Sequence, residues 1–224
     1  MSISRIAGTG TTSNTGSISV SPTVNAADLI LFATIADDPS GTTTFLTPPS
    51  GVTQMASDSI SGTQFYYAVA TTAGTPTYTF TNSSANVMGI VYAQYRSTLG
   101  TCTIETRSFE EGIGTDTVPL PALTAAHSTD WYVLLNGSEN GNADVYISSI
   151  SPTGLSEVTI ISAPDSRINA NLYTQIYDTN GPVAATGSQP QYSLAYSAYG
   201  AFYVGQISIT EATPSGTAPL VMII

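Results

Sequence analysis

Apolar and polar residues alternate along most of the chain with a period of two, the signature of strands with one buried face. Phe65, Tyr67 and Val69 share a face, Tyr78 and Phe80 repeat the spacing, and Cys102, Ile104 and Thr106 oppose Glu105 and Arg107. Residues 29–35 and 87–95 are apolar on both faces, which predicts strands in the middle of sheets. Further strands are expected over 17–20, 130–136, 144–150, 157–162, 170–177, 191–196 and 200–210. Pro48-Pro49-Ser50-Gly51 and Ala73-Gly74-Thr75-Pro76 read as turns, because Pro fixes φ and Gly accepts φ > 0. Asp37-Asp38-Pro39-Ser40-Gly41 reads as a solvated loop, and Glu110-Glu111-Gly112-Ile113-Gly114 as a break after the strand that starts near Thr101. No window keeps apolar residues at i, i+3, i+4 and i+7 without Gly, Pro or clustered β-branched residues, so no helix is expected. Residues 1–16 are rich in Gly, Thr and Ser, lack periodicity and read as an N-terminal arm.

The second half of the chain repeats the first. Asp28-Leu29-Ile30-Leu31-Phe32 precedes Asp130-Trp131-Tyr132-Val133-Leu134 by 102 positions, and the Pro49-Ser50-Gly51 turn precedes Pro152-Thr153-Gly154 by 103. Phe65-Tyr66 matches Leu172-Tyr173 at an offset of 107, and Gly89 to Tyr92 matches Gly200 to Tyr203 at 111. Offsets that only grow are what loop insertions between matching strands produce. The expected fold is therefore all-β, an antiparallel β-sandwich or jelly roll built from an internal duplication. It would cover 17–211, with repeat halves at 17–110 and 118–211 and each half supplying part of both sheets. Two separate sandwiches of roughly 100 residues are the alternative. Leu29 should then match Trp131, Gly51 match Gly154 and Tyr92 match Tyr203, with Ile90, Tyr92, Phe202 and Val204 buried in central strands.

Composition narrows the function. The chain has no Lys, four Arg and a net charge of −11, so nothing in it neutralises phosphates and nucleic acid is excluded as a partner. No apolar run approaches the ~20 residues of a membrane helix. The start of the sequence lacks the basic and apolar regions of a signal peptide, and the single Cys102 permits no intrachain disulfide. Synthesis in a cytoplasm, without a signal, is the expectation.

Candidate chemistry is sparse. His127, the one histidine, would have to serve any Ser/His/Asp arrangement with Asp130; a loop histidine before a strand is the preferred reading. Cys102 reads as a buried structural thiol. Gly8-Thr9-Gly10 and Gly112-Ile113-Gly114 lack the third glycine of a dinucleotide fingerprint and read as flexible turns. Asn136, Ser138, Asn140, Asn142 and Asp144 place oxygens at every second position, a pattern to weigh for calcium against a polar hairpin loop, which is favoured. The thirteen Tyr suit sugar stacking, but they lie in apolar strand runs and point first to packing and interfaces. No catalytic residue, cofactor or metal is assigned. Past Thr210, Pro214, Gly216 and Pro219 keep residues 212–224 extended, and Leu220, Val221, Met222, Ile223 and Ile224 end the sequence as an apolar assembly arm suited to a partner's groove or sheet edge.

The run Asp28-Leu29-Ile30-Leu31, then Thr47-Pro48-Pro49-Ser50-Gly51-Val52-Thr53, Phe65-Tyr66-Tyr67-Ala68-Val69-Ala70 and Tyr78-Thr79-Phe80 resembles a β-rich module of tailed-phage structural proteins and some bacterial surface proteins. That module's turn carries Trp where Val52 stands here, so one packing anchor differs. The resemblance spans most of residues 15–210 and brings no catalytic residues. It implies a non-enzymatic virion protein, a capsid decoration or cement protein or a tail or fibre component. Such a protein binds other virion proteins and copies of itself and locates to the virion. The alternative is a carbohydrate- or receptor-binding module acting on cell-surface glycan.

Overall fold

The computed structural model describes residues 3–37, 44–85, 87–98, 100–114, 118–127, 129–140, 143–165, 170–183 and 186–212. Every regular element among them is a β-strand. The first half contains β1 (Ile3–Ser13), β2 (Ser17–Val20), β3 (Leu29–Asp37), β4 (Thr53–Asp58), β5 (Thr63–Val69), β6 (Tyr78–Thr81) and β7 (Val87–Ser97). The second contains β8 (Thr101–Gly114), β9 (Val118–Pro119), β10 (Thr124–Ala125), β11 (Trp131–Glu139), β12 (Ile147–Ser151), β13 (Ser156–Asp165), β14 (Ala170–Asp178), β15 (Gly187–Ser188), β16 (Ser193–Tyr196) and β17 (Gly200–Ala212).

Each half builds one five-stranded antiparallel sheet, in the order β1-β7-β3-β5-β4 and β8-β17-β11-β14-β13. The two faces that meet are lined by Leu29, Leu31, Ala33, Phe65, Val91 and Tyr95 from one sheet and Trp131, Val133, Leu135, Ile176, Ile207 and Ile209 from the other. Behind the first sheet, β2 and β6 cover Ile30, Phe32, Tyr66, Met88 and Ile90. Behind the second, β9, β16 and β12 cover Leu134, Tyr177, Phe202 and Val204. Four layers enclose three apolar seams, so strands buried on both faces need apolar residues on both. Ile90, Tyr92, Phe202 and Val204 are indeed buried within the interior strands β7 and β17.

Four expectations are corrected. The N-terminal stretch is not a free arm but β1, paired along its length with β7. Strand β8 does not break at Glu110; it runs on to Gly114 beside β17. The boundary between halves therefore falls between Ser97 and Thr101, not between residues 110 and 118, and each half keeps its five-stranded sheet to itself. Asp37 is no solvated loop residue either, since it ends β3 in a buried position. Asp38 and the C-terminal segment 213–224, with Leu220 to Ile224, lie outside the described residues.

The strand ladders match between halves at fixed offsets. Leu29 faces Tyr95 where Trp131 faces Ile209, and β4 and β13 carry bulges at equivalent places, between Gln54 and Ala56 and between Glu157 and Thr159. A second bulge, between Arg5 and Ala7 opposite Tyr95 and Gln94, recurs in β8 opposite Ile209 and Ser208. Leu29 thus holds the ladder position in its sheet that Trp131 holds in the other, and Gly51 and Gly154 lie in turns at matching places, both with positive φ, 83° and 144°. The later matches shift: Phe65 corresponds to Ile176 and Tyr92 to Gln206, not to Leu172 and Tyr203. With that register, Thr63-Gln64-Phe65-Tyr66 lies over Thr174-Gln175-Ile176-Tyr177, an identity in three of four residues.

Candidate functional site

The seam between the two large sheets is the most specifically built surface of the molecule, and it is closed on one side and open on the other. On the closed side β13 crosses β1 and β7. A Cβ on Gly8 would lie 2.4 Å from Val158 Cγ1, and one on Gly10 would lie 2.6 Å from Ile161 Cγ1. Gly8-Thr9-Gly10 is therefore not a flexible turn; its glycines sit in a strand and admit the side chains of the other half. Gly137 does the same for Thr63, whose Oγ1 would stand 2.1 Å from an added Cβ. Gly112, the other glycine pair's first member, leaves room for the Phe202 ring. The approaches at Gly8, Gly10 and Gly137 bring side chains of one half directly against the backbone of the other.

Polar contacts fix the register of the halves. Arg5 Nη1 donates to Asp178 Oδ1 at 2.7 Å, and the buried Tyr95 hydroxyl donates to Asp178 Oδ2 at 3.0 Å. Burial first, and the Asp178 charge second, push the Tyr95 hydroxyl well above its ordinary pKa, so it stays a donor. Phe65 stacks on Tyr203 across the seam at 5.1 Å, and Phe109 stacks 6.1 Å from each ring. Trp131 meets Tyr95 edge-on at 5.9 Å.

On the open side the sheets part and leave a cleft of about 350 Å³. Leu29, Tyr67 and Val69 form one wall, and Cys102, Ile104, Glu105 and Arg107 of β8 line the other. By the ladder offsets, Tyr67 and Ile104 stand where Asp178 and Arg5 meet on the closed side, so the ion pair has no counterpart here. The Cys102 thiol is pushed up to about 12, by burial and then by Glu211 and Asp28. It is a neutral wall atom at physiological pH, not a nucleophile. The cleft is lined by the apolar Leu29, Val69, Cys102 and Ile104, with Arg107 among the polar residues beside them.

The other sequence candidates are dispersed. Asp130 is fully buried and accepts the backbone N–H of His127, so it caps a turn instead of orienting the imidazole through that contact. Asn136 and Ser138 are buried in β11: Asn136 donates to Gln175, Ser138 donates to the Val145 carbonyl at 2.5 Å, and Tyr196 donates to Asn136 Oδ1. Asp144 accepts from Asn171 on the surface, and Asn140 donates to the Tyr199 carbonyl. The oxygen-bearing run is thus split between core and surface and forms no single ligand set; Asn142 lies outside the described residues. Nine of the thirteen Tyr are buried, and Tyr146 and Tyr199 are exposed.

Comparison with protein-family models, with curated proteins and with solved structures found no match for this chain.

Proposed function

We propose that this chain is a non-enzymatic structural protein of a bacteriophage particle, a decoration or cement protein or a tail or fibre component, which joins neighbouring subunits. The observation that carries the reading is strand β8. It is 14 residues long and forms the edge of its sheet, pairing among the described residues with β17 alone. Ile113 on it is 56% exposed, and the open cleft runs beside its first half. A long edge with free main-chain groups is a template for another chain's strand. The apolar sequence Leu220 to Ile224 of a neighbouring copy is the segment we assign to it, and the phage-module resemblance supports the virion setting. The matching ladders support two copies of one module. In each, the first strand lies beside the last, as in a jelly roll.

The test compares the full chain with a deletion of residues 214–224 and with Ile113→Asp. Sedimentation should show self-association, or binding to a purified particle, falling sharply in both variants while the unfolding temperature changes little. A truncated chain that unfolds yet still associates would show that the segment completes its own chain's core.

A second reading, glycan binding, is favoured by Tyr199, which is 60% exposed, with Tyr146, Asp144 and Asn171 at the same end of the second half. Binding on a glycan array that disappears in Tyr199→Ala would support it.

A further inference from the structure

Asp28 and Asp130 occupy the same place in the two halves and are answered differently. Each ends a turn in the same manner. Its Oδ2 accepts the backbone N–H three residues back, Asn25 at 2.7 Å or His127 at 3.0 Å, and its own N–H returns to that residue's carbonyl at 3.2 or 3.1 Å. Both side chains are fully buried. Around Asp28 the remaining capacity is filled: Arg96 Nε donates to Oδ1 and Nη2 to Oδ2, both at 2.7 Å, and Gln94 Nε2 donates to Oδ2 at 2.6 Å.

Among the described residues of the second half no such cation reaches Asp130. The ladders put Ser208 where Gln94 stands and Thr210 where Arg96 stands. Asp130 Oδ1, the atom that corresponds to the acceptor of Arg96 Nε, has no hydrogen-bond donor. The hydroxyls of Tyr132 and of Ser208, its cross-strand partner, are also buried and unpaired. The group that does enter is a second acid. Glu105, the extra residue of the β8 bulge opposite Ser208 and Ile209, brings its carboxyl within hydrogen-bonding reach of Asp130, with His127 close by, and burial first and that contact second raise its pKa. A buried carboxylate facing a like charge is costly unless a shared proton or a positive charge joins the pair, and a cation stabilises both in their charged form.

We propose that this slot binds a divalent, oxygen-seeking cation, calcium foremost, in the place that the Arg96 guanidinium fills in the first half. The donors are hard oxygens: Asp130 Oδ1, the Glu105 carboxylate and the hydroxyls of Ser208 and Tyr132, with water completing the six to eight positions calcium takes. Glu105 and His127 are exposed, so the slot has a mouth through which the ion enters. Among the described residues no three of His, Cys, Asp and Glu converge in metal-binding geometry, and two carboxylates give the weak affinity of extracellular modules, roughly 10⁻⁴ to 10⁻³ M.

The experiment titrates the full chain with terbium(III), exciting tyrosine, since Tyr132 borders the slot, and then displaces terbium with calcium. Saturable emission that calcium competes away is expected. Glu105→Gln, at an exposed position, should weaken calcium binding at least tenfold without loss of fold. Thr210→Arg rebuilds the first half's arrangement; it should abolish binding and raise the unfolding midpoint as calcium does in the unaltered chain. The proposal is overturned by the lack of a calcium-competed signal, by native affinity in Glu105→Gln, or by undiminished binding in a folded Thr210→Arg. An arginine-bearing partner as the true occupant would appear as the first of these outcomes.

Discussion

Gln64 and Gln175 make the same contact in the two halves: the side-chain carbonyl of each accepts a buried backbone N–H from the segment covering its sheet, Leu46 at 2.5 Å and Ile147 at 2.8 Å. The tyrosine two residues on completes the clasp, Tyr66 donating to the Leu46 carbonyl at 2.7 Å and Tyr177 to that of Ile147 at 3.4 Å. Replacing either glutamine by Leu keeps the volume but strands a buried N–H. Each substitution should cost about 1–3 kcal/mol in urea unfolding. A loss in one half only would show that the contacts are not equivalent in energy.

The seam should be sensitive to a single methyl group. Gly137→Ala drives a Cβ into Thr63 and is expected to destabilise by about 1–3 kcal/mol, as overpacking does. Thr63→Ala in the same chain should recover part of that loss. Strictly additive effects in a double-mutant cycle would mean that the two residues do not meet.

Phe202 lies under the second half's cover, 5% exposed and stacked on Tyr196 at 4.7 Å. Phe202→Ala should cost about 3–5 kcal/mol. A loss below about 1 kcal/mol would place the ring in solvent.

Acid should loosen the first half through Asp28. Burial alone would raise its pKa, but the Arg96 guanidinium, the Asn25 N–H and Gln94 outweigh burial and hold it below the 3.8 of a free aspartate. A depressed folded value means that this stabilisation is complete above about pH 4 and is lost as pH falls through the folded value. Arg96→Gln should therefore lower stability at pH 7 and flatten the decline below pH 4, measured by thermal unfolding at a series of pH values.

Thiol reagents offer a quick check of the cleft wall. Cys102 is fully buried and its pKa stands near 12, so it should stay unmodified by a disulfide reagent at pH 8 until denaturant is added. Rapid labelling of the folded chain would contradict that burial.

Strands that carry their own apolar pattern are legible in the sequence. Residues 29–35, 65–69 and 87–95 declare themselves, because large side chains alternate or fill both faces. Strand β1 does not, because its burial depends on Gly8 and Gly10 giving way to Val158 and Ile161, and a glycine leaves no hydrophobic mark. The matching ladder positions of the two halves are legible where a turn or cap marks them, at Asp28 and Gly51. Matching aromatic residues by type slips by four at Phe65 and by three at Tyr92, because the loops between them differ in length. The four-residue match beginning at Thr63 and Thr174 is the sequence signal that agrees with the ladder register. As for function, the open cleft and the Asp130 slot arise from differences between the halves, such as Thr210 in place of Arg96. Those differences acquire meaning only once the ladders show which residues correspond.

The placement of Trp131 gives the molecule an internal optical gauge. The one indole of the chain sits in the seam, 5% exposed, with Tyr95 of the other half edge-on to it. Its emission maximum and its energy transfer from Tyr95 register how close the halves stand. Backbone circular dichroism registers whether each sheet is intact. A red shift of the indole that precedes the loss of circular dichroism would reveal a state in which two folded halves have come apart. Coincident transitions would show that neither half outlives their contact.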